Sequence, residues 1–318
     1  MRNLSKVLAI IALFVLTACG ETTSGGGSSP SANGISKVDS IANEVPSDIK
    51  TKGVLQIGVD ATYLPNEGID PDTGQIVGWD IDLGNALGQV MGIKFVFNNA
   101  DFGSIIPDIG TRYDLGISSF SPTTEREKTV DFVTYYQAGE QWFTKAGGPQ
   151  VNTPLDMCGT TIAVETGTTE EADAYGFMGK SPDGSAIGGD PDNCKKGGKV
   201  DITVHSFTKQ TDANADLLSG HSQLGWADQP VSDYQVKLSN GQLALSGKPC
   251  SIAPYGIALA KGSPLEQALQ DALKYLIDHG YYASILKAWN VQDGAIASST
   301  VGLNVNSIPN QPSCVPSY

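Results

Sequence analysis

Basic side chains are scarce in this chain: 20 lysines and arginines stand against 34 acidic residues in 318. A protein of this charge presents no basic face, which excludes nucleic acid as a partner. Histidine is rarer still, and the three present, His205, His221 and His279, share no metal-ligand spacing. No Cys-x-x-Cys pair occurs, and Asp70-Pro-Asp-Thr-Gly74 lacks the spacing and ligand count of a calcium loop, so neither metal nor cofactor is expected. The nucleophile elbow G-x-S-x-G is missed at residues 220–224, where Leu224 occupies the second glycine position. A long apolar run is absent too. Residues 7–18, interrupted by Thr17, fall short of the roughly 20 apolar residues a spanning helix needs.

What is present begins with that run. Arg2 and Lys6 precede it and Leu16-Thr17-Ala18-Cys19 closes it. The arrangement resembles a bacterial lipoprotein signal, cleaved before Cys19, whose thiol receives a diacylglyceryl group; a plain secretory signal with an incidental cysteine is the alternative. Acyl chains in pairs or more hold a protein stably at a membrane surface. Residues 1–18 are thus expected to be the signal and 19–47, rich in Gly, Ser and Pro, a flexible tether holding an extracytoplasmic body off the membrane.

Four further cysteines, Cys158, Cys194, Cys250 and Cys314, are an even number in an oxidising compartment, which favours disulfides. Cys158–Cys194 with Cys250–Cys314 is preferred because the first pair brackets one local unit, though spacing alone leaves the other pairings open. Roughly 270 folded residues suggest two domains or lobes.

Short apolar strands alternate with amphipathic helices, the signature of an open α/β sheet with ligands beyond the carboxyl ends of its strands. Strands are expected at 53–59, 94–97, 113–117, 160–164, 202–205, 224–227 and 255–260, and helices at 78–91, 104–110, 167 onward, 211–218, 264–279 and 281–289. Residues 177–198, rich in Gly, Pro and Asp, read as a surface excursion. Asp60, Ser118, Ser119 and Ser121 fall at strand ends.

The most informative stretch is 114–126, DLGISSFSPTTER. A buried strand runs into three hydroxyls, then Pro122 at what could be the first position of a helix. Free N–H groups, hydroxyls and Arg126 would converge there and suit a carboxylate. A capped helix with a surface arginine is the plainer reading of the segment taken alone.

The order of Gly78-Trp-Asp-Ile-Asp-Leu83, the strand end with its Glu125-Arg126, residues 164–169, and residues 255–261 with Trp289 resembles the family 3 extracellular solute-binding proteins, the polar amino-acid-binding components of ABC importers. That resemblance spans about residues 50–292. It implies a type II periplasmic-binding-protein-like fold: two α/β lobes, 48–144 plus 252–291 and 145–251, joined by two hinge strands, with the ligand in the interlobe cleft and a tail at 292–318. It further implies that Arg126, Ser121 and the Thr169 N–H hold an α-carboxylate, beside Thr168. Asp228, Ser119 and the Ser118 carbonyl would take an α-ammonium, and Tyr63 and Phe102 would flank the aliphatic part. A zwitterion taken out of water needs such opposed clusters.

Asp60 and Glu165 would lie towards the ligand's side-chain end, with Glu170 and Glu67 near. Paired carboxylates repel unless a cation or a proton intervenes, so arginine, lysine or ornithine is the first choice, glutamine or another neutral polar amino acid the second, and acidic or sulfur-containing ones remain open. The implied partners are a free L-amino acid, an importer permease and a lipid anchor, with the chain a monomer and not an enzyme. A dehydratase-like cleft enzyme and a ligand sensor acting through a partner are the competing classes. Three positions depart from the family pattern: Trp79 where Phe or Tyr is usual, Asn66 where Phe is common, and Gln223 where Asp is common.

Overall fold

The computed structural model describes residues 34–188, 192–309 and 311–315. Among the described residues eleven strands form: β1 (Val54–Val59), β2 (Thr62–Tyr63), β3 (Glu67–Ile69), β4 (Ile76–Val77), β5 (Lys94–Asn99), β6 (Leu115–Phe120), β7 (Val130–Lys145), β8 (Thr161–Glu165), β9 (Thr203–Phe207), β10 (Leu224–Asp228) and β11 (Leu243–Ala260). Eight of them make one continuous sheet in the order β5-β1-β6-β11-β7-β10-β8-β9, and β2, β3 and β4 make a small second one. The fold is the two-lobe, type II α/β arrangement. β1 pairs in parallel with β5 and β6 in the first lobe, and β8 with β9 and β10 in the second.

The lobes meet through β7 and β11. These antiparallel strands are long enough for each to serve both lobes: β11 pairs with β6 at Leu259↔Leu115 and Gly256↔Phe120, while β7 pairs with β10 from Asp228↔Glu140 to Leu224↔Thr144. Their mutual ladder shifts register between Cys250 and Ala253 and again between Tyr255 and Gly256. Missing ladder bonds at that point make it the place where bending meets least resistance. Each lobe carries its own core. Helices Trp79–Met91, Glu266–Asp278 and Tyr281–Trp289 bury apolar stripes on the first, and Trp142, Ile162, Val164 and Trp226 centre the second. Gly92 ends the first of those helices in a left-handed conformation (φ 68°) that a side chain disfavours, and its N–H bonds to Gln89 O.

Three sequence expectations need correction. The tether expected over 19–47 is not wholly unfolded: Asp39–Glu44 is a helix, Ile41 and Val45 are buried in the first lobe's core, and Val38 N–H donates to Val90 O at 3.0 Å. Ile35, Val38, Ile41 and Val45 recur at intervals of three or four, a helical stripe hidden in a polar composition. Secondly, no α-helix starts at Pro122; the chain instead makes a single 3₁₀ turn, Arg126–Lys128, before β7 begins at Val130. Thirdly, β6 runs three residues further than expected, so Ser118 and Ser119 lie within it. The expected signal and lipidated Cys19 lie outside the described residues. The disulfides Cys158–Cys194 and Cys250–Cys314 both form, and the first ties the 177–198 excursion, through the short helix Asn193–Lys196, to the second lobe.

Candidate functional site

Twelve residues from both lobes line one interlobe cavity. All eleven residues expected from the sequence are among them: Asp60, Tyr63, Phe102, Ser118, Ser119, Ser121, Arg126, Glu165, Thr168, Thr169 and Asp228; the twelfth is Glu170. Asp60 follows β1, Tyr63 ends β2, and Ser118 and Ser119 are the last residues of β6 before Phe120, so the first lobe offers the carboxyl ends of its strands. From the second come Glu165 and Asp228, the last residues of β8 and β10, and the first turn of helix Thr169–Gly176 with its N-cap Thr168. Thr168 caps in the ordinary way, its hydroxyl accepting from Glu171 N–H.

Arg126 is the cation of the cavity. Its Nη1 donates to Ser121 O and Nη2 to Gly167 O, both at 2.9 Å, and its guanidinium lies 5.2 Å from the centre of Phe102 and 5.8 Å from that of Phe120. Desolvation pulls its pKa down to about 10, opposed by Glu170 and Asp228, so it remains charged at neutral pH. None of the ion pairs among the described residues involves it. A guanidinium with neutral partners, backed by aromatic rings, is suited to receive a carboxylate bidentately.

Carboxyl groups dominate the rest. Asp228 and Glu170 have pKa values pushed up chiefly by burial; repulsion by Glu170 raises Asp228 further, while Tyr63 and Arg126 pull it back. Tyr63 donates its hydroxyl to Asp228 Oδ2 at 3.2 Å and accepts the Asp228 N–H at 3.0 Å, a bond pair that crosses the cleft. Glu170 Oε1 has no hydrogen-bond partner among the described residues.

Asp60 and Glu165 meet across the cleft at the far end. Thr62 Oγ1 bridges them, 2.6 Å from Asp60 Oδ1 and 3.4 Å from Glu165 Oε1. Asp60 also accepts from Phe102 N–H at 2.9 Å, and Glu165 from Gln210 N–H at 3.1 Å. Burial is the main cause raising both pKa values, and repulsion by Asp60 adds to that of Glu165. These bonds draw the lobes together: Thr62 is on one side, Gln210 and Glu165 on the other.

Behind the cavity, Ser118 Oγ accepts from Asp60 N–H at 2.9 Å and donates to Glu67 Oε1 at 2.6 Å, which orients the first lobe's strand ends. Glu67 therefore lies near the cavity without lining it. Ser119 sits at φ 54°, an uncommon conformation for a residue with a side chain. Its N–H is held by Tyr135 OH (3.2 Å) and Asp80 Oδ2 (3.3 Å), and its Oγ accepts from Asn66 Nδ2 at 2.8 Å. Asn66 in turn accepts from Trp79 Nε1 at 2.7 Å. Two departures from the family pattern are thus one hydrogen-bonded unit, reaching the site through Ser119 rather than by contact with the cavity. Glu170 is the lining residue that the sequence reading placed only nearby; its signal was a second acidic residue in the first turn of a helix opening onto a strand end.

The sequence profile of the bacterial extracellular solute-binding proteins, family 3, matches residues 55–292. The chain belongs to that family. Its relatives include the arginine-binding protein ArgT of Corynebacterium glutamicum, 32% identical over 269 residues that cover 83% of each chain. The glutamine-binding protein GlnH of Bacillus subtilis is 27% identical over 91% of this chain and 97% of its own. Among solved structures, an ancestral arginine-binding protein bound to arginine superposes with a TM-score of 0.65 at 30% identity, covering 74% of this chain and 98% of that one. Members of the family are extracytoplasmic, and among the described residues no helix is long and apolar enough to cross a membrane. Nor do the described residues include a group of three or more His, Cys, Asp or Glu disposed to hold a metal ion.

Proposed function

We propose that this protein captures a free basic L-amino acid, arginine first, between its lobes and delivers it to an ABC importer. The observation that carries the reading is the charge layout of the cavity: one guanidinium without an acidic partner at one end, and four buried carboxyl groups, Asp60, Glu165, Glu170 and Asp228, distributed beyond it. A zwitterion with a cationic side chain supplies one anion and two cations, which matches that layout better than any neutral amino acid. Arg126, Ser121, Thr168 and the Thr169 N–H take the α-carboxylate; Asp228, Ser119 and Ser118 take the α-ammonium. Tyr63 and Phe102 flank the methylenes, and Asp60 with Glu165 receives the guanidinium or ammonium of the side chain. Arginine- and glutamine-binding relatives support the class of ligand.

Glutamine is a second reading because a protonated Asp60–Glu165 pair offers one donor and several acceptors, which an amide can also satisfy. In either case the chain acts as a carrier rather than an enzyme. The first lobe begins before residue 48, with Ile41 and Val45 in its core, and β7 passes into the second lobe ahead of Trp142; the protein works as a monomer, and lipidation at Cys19 after removal of 1–18 holds it at the outer face of the membrane. Thermal unfolding of residues 20–318 with each common L-amino acid tests the reading. A ligand at 100 times its Kd adds about 2.7 kcal/mol to the folded state. A shift with arginine, lysine or ornithine exceeding that with glutamine supports the basic reading; a shift with glutamine alone overturns it, and no shift at all overturns the carrier assignment.

A further inference from the structure

Residues 293–309 and 311–315 lie outside the stretch matched to the family, yet they are built into both lobes. On the first lobe they run beside the start of β7. Gly302 O accepts from Thr134 N–H at 3.0 Å, and Asn304 N–H donates to Phe132 O at 2.9 Å. The Asn304 side chain accepts from Phe132 N–H and donates to Asp131 Oδ1, both at 2.8 Å, and Asn306 donates to Glu127 at 3.3 Å. The chain then reaches the other side of the hinge. Pro312 O accepts from Ser251 N–H at 2.7 Å, Cys314 N–H donates to Ser251 Oγ at 2.9 Å, and Cys314 is joined to Cys250. Cys314 and Val315 are buried in the second lobe's core with Trp142 and Trp226.

Both ends of the path between these anchors have a defined side. Asn306, Ser307 and Ser313 share the lining of an open groove with Ser121 and Thr124 from one lip of the cleft and Thr169 and Asp228 from the other. Ser121, Thr169 and Asp228 also line the amino-acid cavity, so the tail lies on the cleft side of β7 and β11. Rotation about those two strands that opens the cleft lengthens any path on this side, and closure shortens it.

We infer that residues 302–315 are a third connection between the lobes, a strap that limits how far the cleft opens and biases the resting protein towards closure. The six residue steps from Asn306 to Pro312 can span at most about 20 Å, which caps the separation of the two anchors. The inference rests on hinge closure as proposed above but not on which amino acid is bound. If cutting the strap lowers the closed, binding-competent fraction fivefold, the apparent Kd rises about fivefold.

The test replaces residues 308–311 with a four-residue protease site, which keeps the length of the strap, and cleaves it after folding, which leaves both anchors and the disulfide in place. Small-angle scattering of protein prepared without amino acid should show a larger radius of gyration after cleavage than before, with L-arginine binding about fivefold weaker. The double variant Cys250→Ser/Cys314→Ser should move scattering in the same direction. Scattering decides the matter: an unchanged radius after complete cleavage overturns the strap. Because that measurement needs no ligand, failure of arginine to bind would count against the proposed function and not against this inference.

Discussion

Titrating the protein with L-arginine and with L-glutamine from about pH 5 to 8 should separate the two ligands by their proton stoichiometry. Asp60 and Glu165 approach each other across the cleft with Thr62 Oγ1 between them, and burial raises both pKa values. Among the described residues, the groups recorded against the pair include no positive side chain: Phe102 N–H and Gln210 N–H donate to it, Ser118 stands between Asp60 and Glu67, and Glu170 adds negative charge beside Glu165. Burial and mutual repulsion both favour the protonated form of carboxyl groups so placed, and a proton shared between them. A guanidinium arriving there supplies the compensating charge, and the proton leaves.

One proton released per ligand makes the arginine Kd fall tenfold for each pH unit gained, or about 1.4 kcal/mol, until pH passes the pair's raised upper pKa. Glutamine, with no side-chain charge, should show a slope near zero. The sign extends to stability. Both folded-state pKa values are raised, so the folded protein holds protons the unfolded chain has lost, and stability falls as pH climbs from the ordinary carboxylate range through the raised values. Saturating arginine should cancel that decline. Calorimetry in two buffers of different ionisation enthalpy counts the protons, and Glu165→Gln should abolish the release while weakening arginine more than glutamine. An arginine affinity that is flat with pH, with no proton released, would refute the reasoning.

Arg126→Ala should remove the partner of the α-carboxylate and cost every amino acid about 2–5 kcal/mol, read by calorimetry as a 30-fold or greater loss; retained affinity would place the carboxylate elsewhere. Cys158→Ser/Cys194→Ser opens a link across 36 residues, and the chain-entropy relation puts the stability loss at about 4 kcal/mol, visible in denaturant unfolding as a lower midpoint. Trp79→Phe should leave Asn66 Oδ1 buried without its donor and cost about 1–3 kcal/mol, whereas Trp79→Phe combined with Asn66→Phe should cost less than the two single changes added together, a coupling measured by a double-mutant cycle.

Much of the cavity was legible because its chemistry sits at strand ends, where short motifs carry position as well as identity. An apolar run ending in Ser118-Ser119-x-Ser121 and Arg126 announces a strand that stops at donors; Val164-Glu165 followed by Thr168 announces a strand feeding a capped helix. Such signals are local, so no knowledge of the distant chain is needed to read them. Glu170 was harder, because acidic residues are favoured in any first helical turn and most of them face water. Only the docking of the other lobe turns that face inward.

Only residues 255–260 of the hinge strands were read as a strand, and β7 with the rest of β11 stayed hidden for the opposite reason. β7 and β11 run 16 and 18 residues, far beyond the usual strand of five or six, and neither shows a sustained alternation. β7 is buried along nearly its whole length because sheet neighbours and helices cover both faces, so its sequence mixes Tyr, Gln, Gly, Glu and Trp without a period of two. In β11 the stretch 246–254 holds Gly247, Pro249 and Pro254, which read as turn signals in isolation. They are tolerated because the register slips in that region and some ladder bonds are absent already. The residues that blurred the strand on the page therefore mark the place where the lobes can bend.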